Sequence, residues 1–254
     1  LNKLVRIVAS KYNDSRRLAL ENRLKQHQVT VNENAIFPNV EWLSYHIPKT
    51  AGTSLRFALE KGMGLNKVQY AYKETFASEL NKGNCVWCPP SAKLLHGHFK
   101  YHPNQDVIYP NARKMIWLRE PSERAWSLFN HWLNVKNSVQ FEIIRDEFLC
   151  DKRFAADKHL LFNHLIQETR FEKQFGCNSF YTNGLSHDNY DFIGRTEHYA
   201  EDINKLAERL KMQLPNLTLN RAAGVSSLCN KNRELFKVLF KNEYSTYNEL
   251  LKLK

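Results

Sequence analysis

The stretch that most limits what this chain can fold into is residues 41–62, where two hydrophobic periods meet across a short polar loop. Glu41-Trp-Leu-Ser-Tyr-His-Ile47 is a compact, mostly apolar run rich in strand formers, and Pro48 closes it. Beyond a loop containing Gly52, the residues Leu55, Ala58 and Leu59 fall on one helical face, and Gly62 is expected to stop the helix. The unit recurs. Lys114-Met-Ile-Trp-Leu118 reads as a strand, Pro121 suits the first turn of the next helix, and Trp126, Phe129 and Leu133 mark its buried stripe. A third instance runs through Phe192-Ile-Gly194, with Thr196 as N-cap and Tyr199, Ile203, Leu206 and Leu210 as the apolar face. Helical spacing also covers about 141–149, 158–174 and the tail from Asn232 to Leu253. Strands alternating with helices predict an α/β fold, a central parallel sheet flanked by helices. Ligands bind beyond the carboxyl ends of such strands, so loops 48–54 and 119–121 should share one crevice. Trp117, Trp126 and Trp132 are read as core residues.

Residues 1–35 are polar and basic with weak helical periodicity and read as a peripheral helical arm; 36–254 read as a single domain, a length that supports one sizeable core. No internal repeat or low-complexity linker interrupts them. The formal charge of +11 favours polyanionic partners: phosphorylated nucleotides, nucleic acid, acidic glycans or anionic membranes. Solubility alone is the competing explanation, and charge does not choose among the partners. No apolar run reaches the roughly 18 residues of a membrane span, and no signal-peptide pattern opens the chain. Because the sequence starts at Leu1, an upstream segment carrying an anchor stays open.

Five cysteines, an odd number, argue against a fully paired framework. Cys85-Val-Trp-Cys88 has the spacing of a metal knuckle but lacks a second Cys or His pair, so a local disulfide or two plain thiols is expected rather than zinc. Asn13-Asp-Ser and Asn216-Leu-Thr match the glycosylation triplet, a pattern that arises readily by chance.

Chemistry concentrates in two loops. His46-Ile-Pro-Lys-Thr-Ala-Gly-Thr-Ser-Leu55 places a lysine, three hydroxyls and a glycine between a strand and a helix start. First-turn amides carry partial positive charge and favour a phosphate or sulfate. Gly52 permits close backbone approach, Thr50, Thr53 and Ser54 offer hydroxyls, and Lys49 supplies a mobile charge. The ATP-binding loop pattern is absent, because here the lysine precedes Gly52 by three residues. The plainer alternative is a capped helix with a solvated Lys49. In the second loop, Arg119 stands at the strand exit, suited to fork onto a phosphate. Ser127 lies eight residues on, about two helical turns into the next helix. Arg124 serves the same anion or pairs with Glu120 or Glu123.

The two loops together resemble the PAPS-dependent sulfotransferases, closest to the branch of heparan sulfate and uronyl 2-O-sulfotransferases with their bacterial relatives. The resemblance implies a P-loop-NTPase-like sulfotransferase fold. It implies that Pro48, Lys49, Thr50, Ala51, Gly52, Thr53 and Ser54 form the 5′-phosphosulfate loop, and that Arg119 and Ser127 hold the 3′-phosphate. His96-Gly-His-Phe99, after the apolar stretch Ala92–Leu95, is similar to a His-Gly-His of that branch whose second histidine is the catalytic base, which implies His98 here. Ile193-Gly-Arg-Thr-Glu-His198 is similar to a late strand–helix junction of the family. The segments 60–90 and 135–190, where acceptor specificity usually lies, match nothing in it.

The implied reaction is in-line transfer of a sulfuryl group from PAPS to a hydroxyl, with PAP as product and no metal. His98 takes the proton and Lys49 stabilises charge on the bridging oxygen. His96 is the runner-up base or a positioning residue, His46 touches donor or acceptor or simply packs, and Asn220 and Arg221 close over the adenosine end. The acceptor implied is a carbohydrate, an acidic glycan in view of the charge, with no nucleic acid partner. The compartment is cytoplasmic for a bacterial protein and the Golgi lumen for the trimmed domain of an anchored enzyme. Two rivals make different demands. A nucleoside triphosphate kinase requires magnesium and the missing loop pattern. A non-catalytic polyanion binder explains the charge but not two ordered loops after strands.

Overall fold

The structure, a computed structural model, describes residues 35–72, 74–216 and 227–252. Strand β1 (Trp42–His46) leads into helix α1 (Gly52–Met63). Then follow β2 (Val68–Ala71), α2 (Glu74–Asn81), β3 (Leu94–Gly97), α3 (Asn104–Ile108), β4 (Arg113–Leu118) and α4 (Pro121–Asn134). A helical stretch comprises α5 (Val139–Glu147), α6 (Lys152–Ala156), α7 (Lys158–Leu165), α8 (Thr169–Phe175) and α9 (Asn178–Thr182). After β5 (Phe192–Arg195) and α10 (Tyr199–Leu210), the described chain ends in α11 (Asn230–Leu239) and α12 (Lys241–Leu251).

The five strands form one sheet in the order β2-β3-β1-β4-β5, with every pairing parallel. The α/β class with a central parallel sheet flanked by helices is therefore the observed one. β1 has a neighbour on each side, and all five of its residues are buried, as a central parallel strand covered on both faces requires. Side-chain alternation divides the core. Leu43 and Tyr45 join α2, α9 and α12 on one face, while Trp42 and Trp117 join α1 and α10 on the other. Trp126, Phe129 and Phe162 build a separate core among α4, α7, α8 and α11, which accounts for Trp126 and Trp132 as packing residues.

Several expected boundaries move, each for a local reason. Helix α1 runs through Gly62 and ends at Gly64, whose φ of 88° suits a glycine terminator. Gly62 is instead a close-packing point, since a Cβ there would fall 2.5 Å from Leu214 Cδ2 and 2.7 Å from the Gln213 carbonyl. Thr196 is not the N-cap of the last sheet-covering helix. Its hydroxyl donates to the Leu118 carbonyl at 3.0 Å, tying the exits of β5 and β4 together, and α10 starts three residues later behind His198. The stretch 158–174 breaks between α7 and α8, and the tail breaks at Phe240, which stacks on Phe236 with centroids 4.2 Å apart. β2 carries no sequence signal of its own, and β3 reaches past the apolar run to take in His96 and Gly97. A Cβ on Gly97 would meet the Ala71 carbonyl at 2.2 Å, so β2 and β3 converge there only because the residue is glycine.

The expected N-terminal arm lies outside the described residues apart from residue 35, as do Asn13, Asn220 and Arg221. Cys85 and Cys88 are free thiols, and burial pushes Cys88 up to about 12. No helix among the described residues is long and apolar enough to cross a membrane.

Candidate active site

The carboxyl ends of the strands form a rim whose residues follow the sheet order. Tyr72 leaves β2, His96 and His98 stand at the end of β3, and His46 ends β1. Arg119 leaves β4, and Glu197 follows β5. The chain moves from β1 to β2 and β3 on one side, then crosses to β4 on the other, so β1 is the topological switch point where a crevice opens.

The loop after β1 is conformationally unusual. Lys49 (φ 73°) and Ala51 (φ 61°) both adopt positive φ without being glycine, while Thr50 between them does not. Each such residue costs on the order of 1 kcal/mol or more. Alternating backbone handedness of this kind turns successive amides toward one point, an anion-binding concavity. The first turn of α1 holds no acid and its cap residue Ala51 makes no side-chain cap, so the helix's own first turn supplies no counter-charge to its positive end. Thr53 is exposed there, and Ser54 is buried. Thr50 is turned inward: its hydroxyl donates to the Ile47 carbonyl at 2.8 Å and braces the turn. At Gly52 the close approach comes from the protein itself, because a Cβ would lie 1.7 Å from His46 Nε2.

Lys49 has no ion pair among the described residues, and burial, then Arg119, hold its pKa below the usual lysine range. Arg119 donates from Nη1 to the Lys49 carbonyl at 3.3 Å, so the two loops touch directly. Burial likewise lowers the Arg119 pKa, against the opposing pull of Glu197 and Glu123, whose carboxylate lies 3.9 Å away. His131 of α4 is lowered by burial and by Lys49, which places that helix face beside the loop. Ser127 lies one turn before His131 on the same face, half-buried. Lys49 and Arg119 thus meet at the β1–β4 gap, and the Ser127 face of α4 also carries His131, which feels the Lys49 charge.

Arg124 does not join them. It is 1% exposed and points into the helical core, donating to the Gln174 carbonyl at 2.8 Å and to that of Phe175 at the end of α8. Glu120 and Glu123 pair instead with Arg233, at 3.3 and 2.5 Å.

On the other side of β1 three histidines gather. Ser44 Oγ bonds His96 Nδ1 at 2.8 Å, His96 Nε2 bonds the Tyr72 hydroxyl at 2.7 Å, and that hydroxyl bonds His46 Nδ1 at 2.7 Å. His46 Nε2 is buried with no hydrogen-bond partner among the described residues. His98 makes no side-chain hydrogen bond among the described residues; its ring is held 4.5 Å from His46 and 4.7 Å from Tyr72, centroid to centroid. Burial and the Arg56 charge lower His98 to about 4, while burial, then His98 and Arg56, lower His96 to about 3. Both are neutral at pH 7. His96 is fully enclosed with both nitrogens engaged, whereas His98 is half-buried, so of the two only His98 is open to a ligand.

Sequence reasoning missed Ser44, Tyr72 and Arg56. Tyr72 follows a strand that was itself unread. Arg56 had a usable signal: it stands one helical turn past Gly52, on the helix of the anion loop. Among the described residues no group of His, Cys, Asp and Glu could hold a metal ion. A cavity of about 560 Å³ lies away from the rim, at the free edge of β5 between His187, Asp191, Ile193, Lys205 and Arg209. None of the loop or histidine residues lines it.

No family model matches the chain, and no curated protein matches it. Among solved structures it is similar to a sulfotransferase from Alicyclobacillus acidocaldarius, at 14% identity and a TM-score of 0.44, over 85% of this chain and 96% of that one.

Proposed function

We propose that this protein transfers a sulfuryl group from PAPS to the hydroxyl of an acceptor, a carbohydrate and preferably an acidic one. The observation that carries the reading is the contact between Lys49 and Arg119 beside a helix whose first turn holds no acid, with a neutral, open His98 on the opposite side of β1. Two cations from separate loops suit a nucleotide bearing phosphates at both ends, and a base across the switch point suits the attacking hydroxyl.

Residues 49–54 hold the 5′-phosphosulfate through amides, hydroxyls and the Lys49 ammonium, while Arg119 and Ser127 take the 3′-phosphate. The acceptor oxygen attacks sulfur as the bond to the bridging phosphate oxygen breaks. His98 accepts the hydroxyl proton, and Lys49 stabilises the charge left on PAP. A base near 4 is weak, but the anionic donor favours protonated imidazole and so strengthens it once bound.

Thermal stabilisation separates the readings: PAP should raise Tm, whereas ATP with magnesium, or heparin alone, would do so for a kinase or a polyanion binder. With PAPS and a glycan panel, Lys49→Ala and His98→Ala should each lose about 100-fold or more in turnover. His98→Ala should still bind PAP. Near-normal turnover in either variant removes that residue's role.

A further inference from the structure

We infer that Arg56 is an acceptor-recognition residue, binding a carboxylate that the acceptor carries close to its reacting hydroxyl. The inference rests on the reading of the site proposed above and extends it to a residue that no motif marks.

Three cations at the rim, Lys49, Arg119 and Arg56, differ in their surroundings. Lys49 and Arg119 meet at the β1–β4 gap, where the nucleotide phosphates account for both. Arg56 leaves α1 one turn past Gly52 toward the β2–β3 side, where its guanidinium lies 5.6 Å from the Tyr72 ring centroid. Among the described residues it has neither an ion pair nor a hydrogen bond. The next acid along the helix, Glu60, takes the Tyr70 hydroxyl at 2.6 Å. A half-buried cation with no counter-ion is costly unless a ligand supplies one.

Its neighbours provide no charge either. His46, His96 and His98 are held neutral by burial, and the Arg56 charge contributes to that in all three. The group that Arg56 awaits is therefore not supplied by the described residues, and a bound ligand is its source in this reading. Strand order decides which ligand brings it. Tyr72 and His98 stand at the ends of β2 and β3, across β1 from Arg119, so Arg56 and the proposed base face the same molecule. A guanidinium lying against an aromatic ring keeps its donors free to fork onto a planar carboxylate. An acceptor whose carboxylate is engaged by Arg56 presents a neighbouring hydroxyl to His98.

The test uses the PAP-saturated protein and a tetrasaccharide of alternating glucuronic acid and N-acetylglucosamine, beside its carboxyl-reduced counterpart. Calorimetry should show the acidic form binding at least tenfold more tightly than the reduced one. Arg56→Gln should close that gap while PAP affinity stays within about twofold, and Arg56→Lys should restore part of it. If wild-type protein fails to bind PAP, the sulfuryl-transfer reading falls. If PAP binds but the two saccharides bind alike, or Arg56→Gln still discriminates between them, the Arg56 inference falls alone.

Discussion

His98 shows how a side chain is made ready without a conventional partner. Among the described residues no carboxylate orients it; the His46 and Tyr72 rings pack against it, and burial with the nearby Arg56 charge keeps it neutral. The sign of its pH dependence follows. Protonation removes the base, so kcat/KM for the donor, which reports the free enzyme, should fall only near pH 4 rather than near the ordinary histidine value of about 6.5. The acid limb of kcat should lie higher, because the bound anionic donor stabilises the imidazolium. Stopped measurements of PAP release from pH 3.5 to 8 check both limbs. A donor kcat/KM limb at 6.5 would remove His98 from the role or its burial from the explanation. At this scale the loop residues were legible because charge and hydroxyls cluster in the sequence from Lys49 to Ser54. Tyr72 was not, since its value lies in meeting His46 and His96, which are 26 and 24 residues away.

Helix α1 is constrained at both ends by contacts only glycine permits. At Gly52 the His46 ring occupies the space of a side chain, and at Gly62 the chain at residues 213–214 does the same. The two should respond differently to alanine. Gly62→Ala pushes on the Gln213 backbone carbonyl and should cost about 1–3 kcal/mol of stability, read by urea denaturation, with PAP binding retained. Gly52→Ala drives His46 off the loop and should weaken PAP binding at least tenfold with a smaller loss of stability. Equal effects of the two variants on PAP binding would show that Gly52 has no special part. Sequence alone made Gly62 a helix terminator, because a glycine after an apolar stripe usually is one. What overrode that was a contact with a segment some 150 residues away, which no local pattern encodes. The same reason hid β2, four residues whose strand character depends on lying beside β3.

For the molecule as a whole, the buried histidines couple stability to pH. His46 and His96 are neutral when folded and have depressed pKa values, as does His98, whereas an unfolded histidine binds a proton below about 6.5. The unfolded chain therefore holds more protons between pH 6.5 and about 4, and unfolding free energy rises with pH across that window. The stabilisation is complete above 6.5 and is lost as pH falls toward 4. Denaturation midpoints at pH 7, 5.5 and 4.5 should decline, and His96→Asn should flatten the decline. An unchanged slope in that variant would assign the acid sensitivity to other groups. Alternating strands and helices made the α/β class readable from the sequence. The site was half readable, because one side rests on local motifs and the other on residues gathered from three different strands.

The central position of β1 also has a consequence during synthesis. Trp42 pairs with Leu94 on one side and Arg113 on the other, so this apolar strand is synthesised before either neighbour exists. At about 5–20 residues per second, the 71 residues separating Trp42 from Arg113 take roughly 4–14 s to be made. Until β4 is made, one edge of the segment lacks its partner strand. A translational pause between β3 and β4 would lengthen the exposure, and with it the risk of aggregation.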